Sequence, residues 1–251
     1  MPIHYARKLT GSKRSADANQ QLGVLLAFVA GAINAGGFLA VQQYTSHMTG
    51  ILSHMADSLA LGAYRLMLPG LGALLSFLAG AACSTLMVNF ARQRKLHGEY
   101  ANPLLLEAFL LLCFGVLGAR LASIDGLFVP LTVMLLCFLM GLQNALITKI
   151  SKADIRTTHI TGIVTDIGIE LGKMLYWNGP GAAHPVRADR QRLRVLCLLG
   201  LAFFVGGVAG ALGFKHMGYV ATIPLALLLV ALASVPAVDD LLDVTRARRV
   251  S

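Results

Sequence analysis

Two short segments of this chain carry the same polar motif inside otherwise apolar surroundings. Thr45-Ser46-His47-Met48-Thr49-Gly50-Ile51 recurs 112 residues later as Thr157-Thr158-His159-Ile160-Thr161-Gly162-Ile163. An imidazole with an ordinary pKa near ~6.5 can bind an anion when charged or relay a proton. It can equally brace its loop by hydrogen bonding a neighbouring carbonyl. Thr45, Ser46, Thr49 and Gly50, with Thr157, Thr158, Thr161 and Gly162, offer hydroxyl and backbone groups beside each histidine. Ser46 or Thr49 could cap a helix starting here, and Gly50 would let another backbone approach closely.

Four carboxylates also fall within apolar segments: Asp57, Glu107, Asp166 and Glu170. Ionisable groups at such depth are costly and face a cavity or a partner. Asp166 and Glu170 share one helical face, with Lys173 within reach of Glu170. Asp166, one turn past the Thr161-Gly162 step, is a candidate coupling carboxylate; Asp57 and Glu170 are further candidates, although Glu170 with Lys173 also reads as a structural ion pair. Glu107 lies near the start of its segment and is expected to snorkel to the surface. His47, His54 and Asp57 could together suggest a metal-dependent enzyme, but no HExxH, GxSxG or phosphate-binding glycine loop accompanies them.

The elements that must position these residues are set by composition. Of 251 residues, 56% are hydrophobic and only 13% charged, where a soluble domain carries about a quarter charged. Six apolar runs, near 21–41, 66–91, 103–119, 127–148, 195–214 and 217–238, approach the ~20 residues an apolar helix needs to cross a bilayer. The first is too long for a cleaved leader's core, and five more follow it. Two shorter, interrupted stretches, 51–63 and 163–175, read as re-entrant half-helices. With six crossings, 18 of the 21 lysines and arginines lie on one side; if the short stretches also crossed, only 14 would. The positive-inside rule therefore favours six spans with both termini cytoplasmic. The net charge of +9 then records orientation, and no nucleic acid is expected as a partner.

The repeat extends beyond the histidine motif. Gly31-Ala-Ile-Asn34-Ala35 matches Gly141-Leu-Gln-Asn144-Ala145 at an offset of 110, and Phe77-Leu-Ala-Gly80 matches Phe203-Phe-Val-Gly206 at 126. Each unit reads as span, half-helix, span, span. Three crossings per unit place the second in the membrane upside down relative to the first. The expected organisation is a basic cytoplasmic segment (1–20), a first repeat (21–121), a second repeat (127–238) and a cytoplasmic tail (239–251). Asn34 and Asn144 need partners at membrane depth, either as braces for the adjacent loop or as ligand contacts. Gly36, Gly37, Gly80, Gly206, Gly207 and Gly210 read as helix-packing positions. Cys83, Cys113, Cys137 and Cys197 read as small lipid- or helix-facing residues rather than a disulfide frame.

These motifs, Gly31-Ala-Ile-Asn34-Ala-Gly-Gly37, Ser46-His-Met-Thr-Gly50 and Thr157-Thr-His-Ile-Thr-Gly-Ile-Val-Thr-Asp166, make the chain similar to the YoaK family of bacterial membrane proteins. The resemblance covers nearly the whole chain. It implies a polytopic inner-membrane protein and names no activity, cofactor or substrate.

The expectation is an all-α membrane protein of six transmembrane helices and two re-entrant half-helices in two inverted-topology repeats. Inverted repeats whose discontinuous helices point positive N-terminal ends at a common site are a recurrent plan for secondary transporters. A carrier or channel for a small polar or anionic solute, working by alternating access with proton coupling as an option, is the leading reading. No cofactor is expected. A membrane-embedded metal-dependent enzyme and a sensory or scaffolding membrane protein are the alternatives. The lipid bilayer and the solute are the expected partners, with a homodimer through the glycine-rich faces as a further option.

Overall fold

The structure, a computed structural model, describes residues 16–94, 96, 98–121, 128–150, 158–179 and 184–234. The terminal segments 1–15 and 235–251, and Thr157 with the rest of 151–157, lie outside the described residues. Every described element is helical. In order they are α1 (Ala16–Val41), α2 (Met48–Ala60), α3 (Tyr64–Gln93), α4 (Ala101–Leu121), α5 (Phe128–Ile150), α6 (Ile160–Leu175), α7 (Arg190–Met217), a 3-10 turn (Gly218–Ala221) and α8 (222–234).

Among the described residues, four helical stretches are long and apolar enough to cross a membrane: Ala18–Val41, Tyr64–Gln93, Pro130–Ile150 and Arg190–Ser234. The apolar part of α4, Ala101–Val116, is shorter. The last stretch holds the two final expected spans, separated by the 3-10 turn. Gly218, at φ +59, ends α7 in a conformation that costs a residue without a Cβ little.

The core lies where α1 and α5 cross. Leu22, Leu26, Leu136, Leu139, Met140, Leu146 and Ile147 are all completely buried there. Gln143 Nε2 donates to Leu26 O at 3.2 Å, while a side chain at Gly37 would press on Leu136. Higher numbers on α1 thus meet lower numbers on α5, so the two helices run antiparallel.

Around this crossing the packing repeats itself. A Cβ on Gly31 would land on the carbonyl oxygen of Phe203, and one on Gly141 on that of Phe77. Likewise Gly206 lies against the carbonyl of Phe28, and Gly80 against that of Phe138. Gly31 and Phe28 plus 110 are Gly141 and Phe138, and Phe77 and Gly80 plus 126 are Phe203 and Gly206. The repeat offsets found in the sequence are therefore also offsets between equivalent contacts. In each case the first helix of one unit packs, in parallel, on the third helix of the other: α1 on α7 and α3 on α5. Glycine permits this approach because a side chain would hold the backbones apart. Gly210 against Ala32 and Gly36 under the Phe214 ring extend the α1–α7 seam. These glycines make their close contacts within the chain.

The cysteines are free; Cys137 is buried, Cys83 and Cys113 half-buried and Cys197 exposed.

Candidate functional site

The loop before α2 is shaped by α1. At the end of α1 the chain turns on Gln42, a non-glycine residue at φ +55, whose N–H donates to Phe38 O at 2.7 Å. A left-handed residue just past a helix is a common way to end it, although asparagine or glycine is the usual choice. The chain then runs back beside the helix it has left. Tyr44 stacks on Phe38 with ring centroids 4.5 Å apart, and the Ser46 N–H donates to Asn34 Oδ1 at 3.2 Å. Asn34 lies seven residues before Val41, so at 1.5 Å per residue the leg descends about 10 Å alongside α1 before α2 begins. Asn34 thus braces the loop, one of its two expected roles.

His47 and His159 are the residues immediately before α2 and α6, with matching backbone angles of φ −91, ψ 67 and φ −86, ψ 56. Both short helices start three residues earlier than expected, at Met48 and Ile160 rather than 51 and 163. Neither is capped by a side chain, which corrects the expectation that Ser46 or Thr49 would do so. Each imidazole instead lies over the first turn of the helix that follows it. A Cβ on Gly50 would collide with the His47 ring, and one on Gly162 would meet Cδ2 and Nε2 of His159 at 3.1 and 3.3 Å. The glycine of His-x-Thr-Gly therefore makes room for its own histidine rather than for a second backbone. Both histidines remain exposed, as do Thr49 and Thr161, while Thr45 is buried and Thr158 half-buried. The buried Thr45 hydroxyl has no hydrogen-bond partner among the described residues.

Below the motif, each half-helix buries two residues at equivalent places: Ile51 and Ser58 on α2, Ile163 and Glu170 on α6. α2 rests on α3, where Met55 and Ile51 face Gly70; α6 rests on α7, where Ile163 faces Gly200. α2 and α6 do not pack on one another. The polar residues thus form one cluster on each half-helix, each half-helix resting on the helix that follows it.

The second cluster carries the charges. Glu170 is 2% exposed, accepts from Lys173 Nζ at 2.8 Å through Oε1 and from the Asp189 N–H at 2.8 Å through Oε2. Asp189 in turn caps α7, accepting from the N–H groups of Gln191 and Arg192. Arg192 reaches back to Asp166 Oδ2 at 3.0 Å. Asp166 is thus paired, as is Glu170, and the assembly ties the end of α6 to the start of α7. In the first unit His54 and Ser58 stand at the equivalent positions, and Asp57 is exposed. Asn144 donates to Met140 O one turn earlier, at 2.9 Å, which is the usual internal answer for an amide on an apolar helix.

Sequence reasoning placed Glu107 at the surface, and the structure corrects this. It is completely buried on α4, and neither carboxyl oxygen has a hydrogen-bond partner among the described residues. Its nearness to the end of α4 was read along one helix, and depth along that helix did not reveal that its face is covered. Sequence reasoning also passed over Arg192 and Asp189, although an aspartate directly before a long apolar-periodic run is a recognisable cap signal. Among the described residues no three His, Cys, Asp or Glu side chains gather as a metal ion would require.

The apolar helices and the polar loops folded back within them define an integral membrane protein. By its match over residues 22–235 to the family described as "Protein of unknown function (DUF1275)", the chain belongs to that family. It is 27% identical over 154 residues to the UPF0700 transmembrane protein YoaK of Bacillus subtilis (strain 168), covering 61% of this chain and 67% of the relative. No solved structure matches it.

Proposed function

We propose that this protein is a secondary carrier or channel for a small polar or anionic solute, built from two inverted repeats in the bacterial inner membrane with both termini cytoplasmic. The carrying observation is the leg from Gln42 to Ser46, folded back about 10 Å beside α1 and pinned by Asn34. Polar, non-helical backbone at membrane depth persists where it lines a watery cavity or is buried in protein. Here it delivers His47, Thr49 and the uncapped start of α2 to an exposed position, where helix N–H groups favour an anion.

The inverted arrangement is supported by the antiparallel α1–α5 crossing and by the parallel α1–α7 and α3–α5 seams. Two equivalent units related in this way can rock against one another and expose each cluster in turn. His47 and His159 would supply charge or relay protons, with Thr49 and Thr161 as hydroxyl contacts. Asp166 and Glu170 hold α6 to α7, and opening that junction would break their pairs.

Reconstitution into proteoliposomes and a screen of small anions and polar solutes tests the reading. Solute-specific flux that falls on replacing both histidines, in protein that remains folded, is the expected result. A folded, reconstituted protein without flux for any of them, but with stoichiometric zinc bound through those histidines, would favour an enzyme.

A further inference from the structure

The two units differ most in the link between the half-helix and the span that follows it. Residues 61–63 join α2 to α3, whereas the equivalent link between α6 and α7 runs over 176–189, and the offset between the units grows across it from 112 to 126. The first unit shows that the turn itself can be made with three residues.

Two ties hold the described parts of the longer link. Asn178 Nδ2 donates to Val186 O at 2.9 Å, while the Val186 N–H donates to Asn178 Oδ1 at 2.8 Å. Three residues further on, the Asp189 N–H donates to Glu170 Oε2 at 2.8 Å. The returning segment 186–189 is thereby fastened at both ends to the end of α6 and the residues just past it. Arg187 lies on that segment between the ties, and Trp177 directly precedes the residue that makes the first of them.

The carboxylates of this junction are already engaged: Asp166 with Arg192, Glu170 with Lys173, and Asp189 with the first N–H groups of α7. Arg187, Arg190 and Arg194 remain exposed and, among the described residues, without an acidic partner. Arg190 and Arg194 are four apart at the start of α7 and so share one face of it. Three guanidinium groups are thus presented from a fastened loop and the helix it leads into, and guanidinium forks match phosphate oxygens.

The same surface is apolar beside its charges. Leu175, Tyr176 and Trp177 are 87%, 61% and 85% exposed. The charge-free part of α7 begins at Val195, directly after Arg194, which sets the arginines at the boundary between the apolar span and water. Tryptophan and tyrosine collect at that boundary because their rings are amphipathic. A soluble anion would satisfy the arginines and leave the three apolar side chains in water; a phospholipid answers both.

We propose that the α6–α7 link is a binding site for the headgroup of an anionic phospholipid. Arg187, Arg190 and Arg194 hold the phosphate, while Tyr176 and Trp177 lie against the glycerol and upper acyl region. The site belongs to the second unit alone, since the link at 61–63 has neither the aromatic pair nor a basic residue. This inference goes beyond the carrier reading and does not depend on flux.

Trp177 is the single tryptophan of the chain, so its fluorescence reports this surface alone. The full-length protein is placed in nanodiscs of phosphatidylcholine and phosphatidylglycerol in equal amounts, with bromine on the acyl chains of one lipid or of the other. Bromine on phosphatidylglycerol is expected to quench Trp177 more than bromine on phosphatidylcholine. This preference should fall about two- to fivefold for each arginine removed in Arg187→Gln, Arg190→Gln and Arg194→Gln, and fall as salt is raised. Should the triple variant not fold, the three single variants carry the same reading. Equal quenching by the two lipids overturns the proposal, as does no quenching by either. A preference that survives all three substitutions, or that inorganic phosphate abolishes at constant ionic strength, overturns it too. A protein that shows the preference but no flux would leave this inference standing while the carrier reading fails.

Discussion

The backbone N–H of Ser46 donates to the side-chain oxygen of Asn34, twelve residues earlier and 3.2 Å away. This bond holds the loop before α2 level with the interior of α1, and so fixes the height at which His47 is presented.

Removing the acceptor should release the loop. Asn34→Ala is expected to cost about 1–3 kcal/mol, the range for leaving a buried partner unpaired, while Asn34→Asp keeps an acceptor and should lose less. Thermal unfolding in detergent measures the difference. Equal losses in the two variants would show that the amide oxygen does not carry the brace.

The stacking of each histidine on the third residue after it predicts an asymmetric response. At Gly50 a Cβ would overlap the His47 ring, whereas at Gly162 it meets the His159 ring at 3.1 Å or more. Gly50→Ala should therefore displace His47 further than Gly162→Ala displaces His159. Nitrogen chemical shifts of selectively labelled histidines in nanodiscs would show a larger change for His47.

The glycine seams predict a matched set of losses. Gly31→Ala, Gly80→Ala, Gly141→Ala and Gly206→Ala each drive a Cβ into a facing carbonyl, and overpacking of this kind costs about 1–3 kcal/mol. Gly168→Ala and Gly172→Ala, with nothing within 4 Å, should instead stabilise α6 by up to about 1 kcal/mol through helix propensity. Unfolding midpoints of the six variants test this, and uniform effects would contradict the packing.

At the α6–α7 junction the two carboxylates should differ. Glu170 is buried and bonded to both Lys173 and the Asp189 N–H, whereas the Asp166–Arg192 pair is 37% and 57% exposed. An exposed pair contributes about 1 kcal/mol at most. Asp166→Ala should barely move Tm, and Glu170→Ala should lower it clearly. The reverse order would place the junction's strength in the outer pair.

Much of this architecture is visible in the sequence because it rests on local, periodic signals. Apolar run lengths marked each helix, and the offsets 110 and 126 marked the seams, since glycines that face a backbone recur with the unit. What escaped depends on neighbours distant in sequence or on single backbone angles. Nothing in Gln42 announces a left-handed turn, and Asp166 and Arg192 are 26 residues apart. The imidazole over Gly50 looked like space for another chain because a glycine records only that something comes close. Glu107 misled for a related reason: depth along one helix says little about which helices cover it.

The proposed inverted arrangement requires the two half-helices to enter from opposite sides. Leu61 and Trp177, 83% and 85% exposed, follow α2 and α6 respectively. With Cys83, Cys113, Cys137 and Cys197 replaced, a single cysteine at either position can be probed with a membrane-impermeant thiol reagent on intact cells. Labelling of Leu61→Cys from outside, with Trp177→Cys reacting only after permeabilisation, is the predicted result; labelling of both positions from the same side would contradict it.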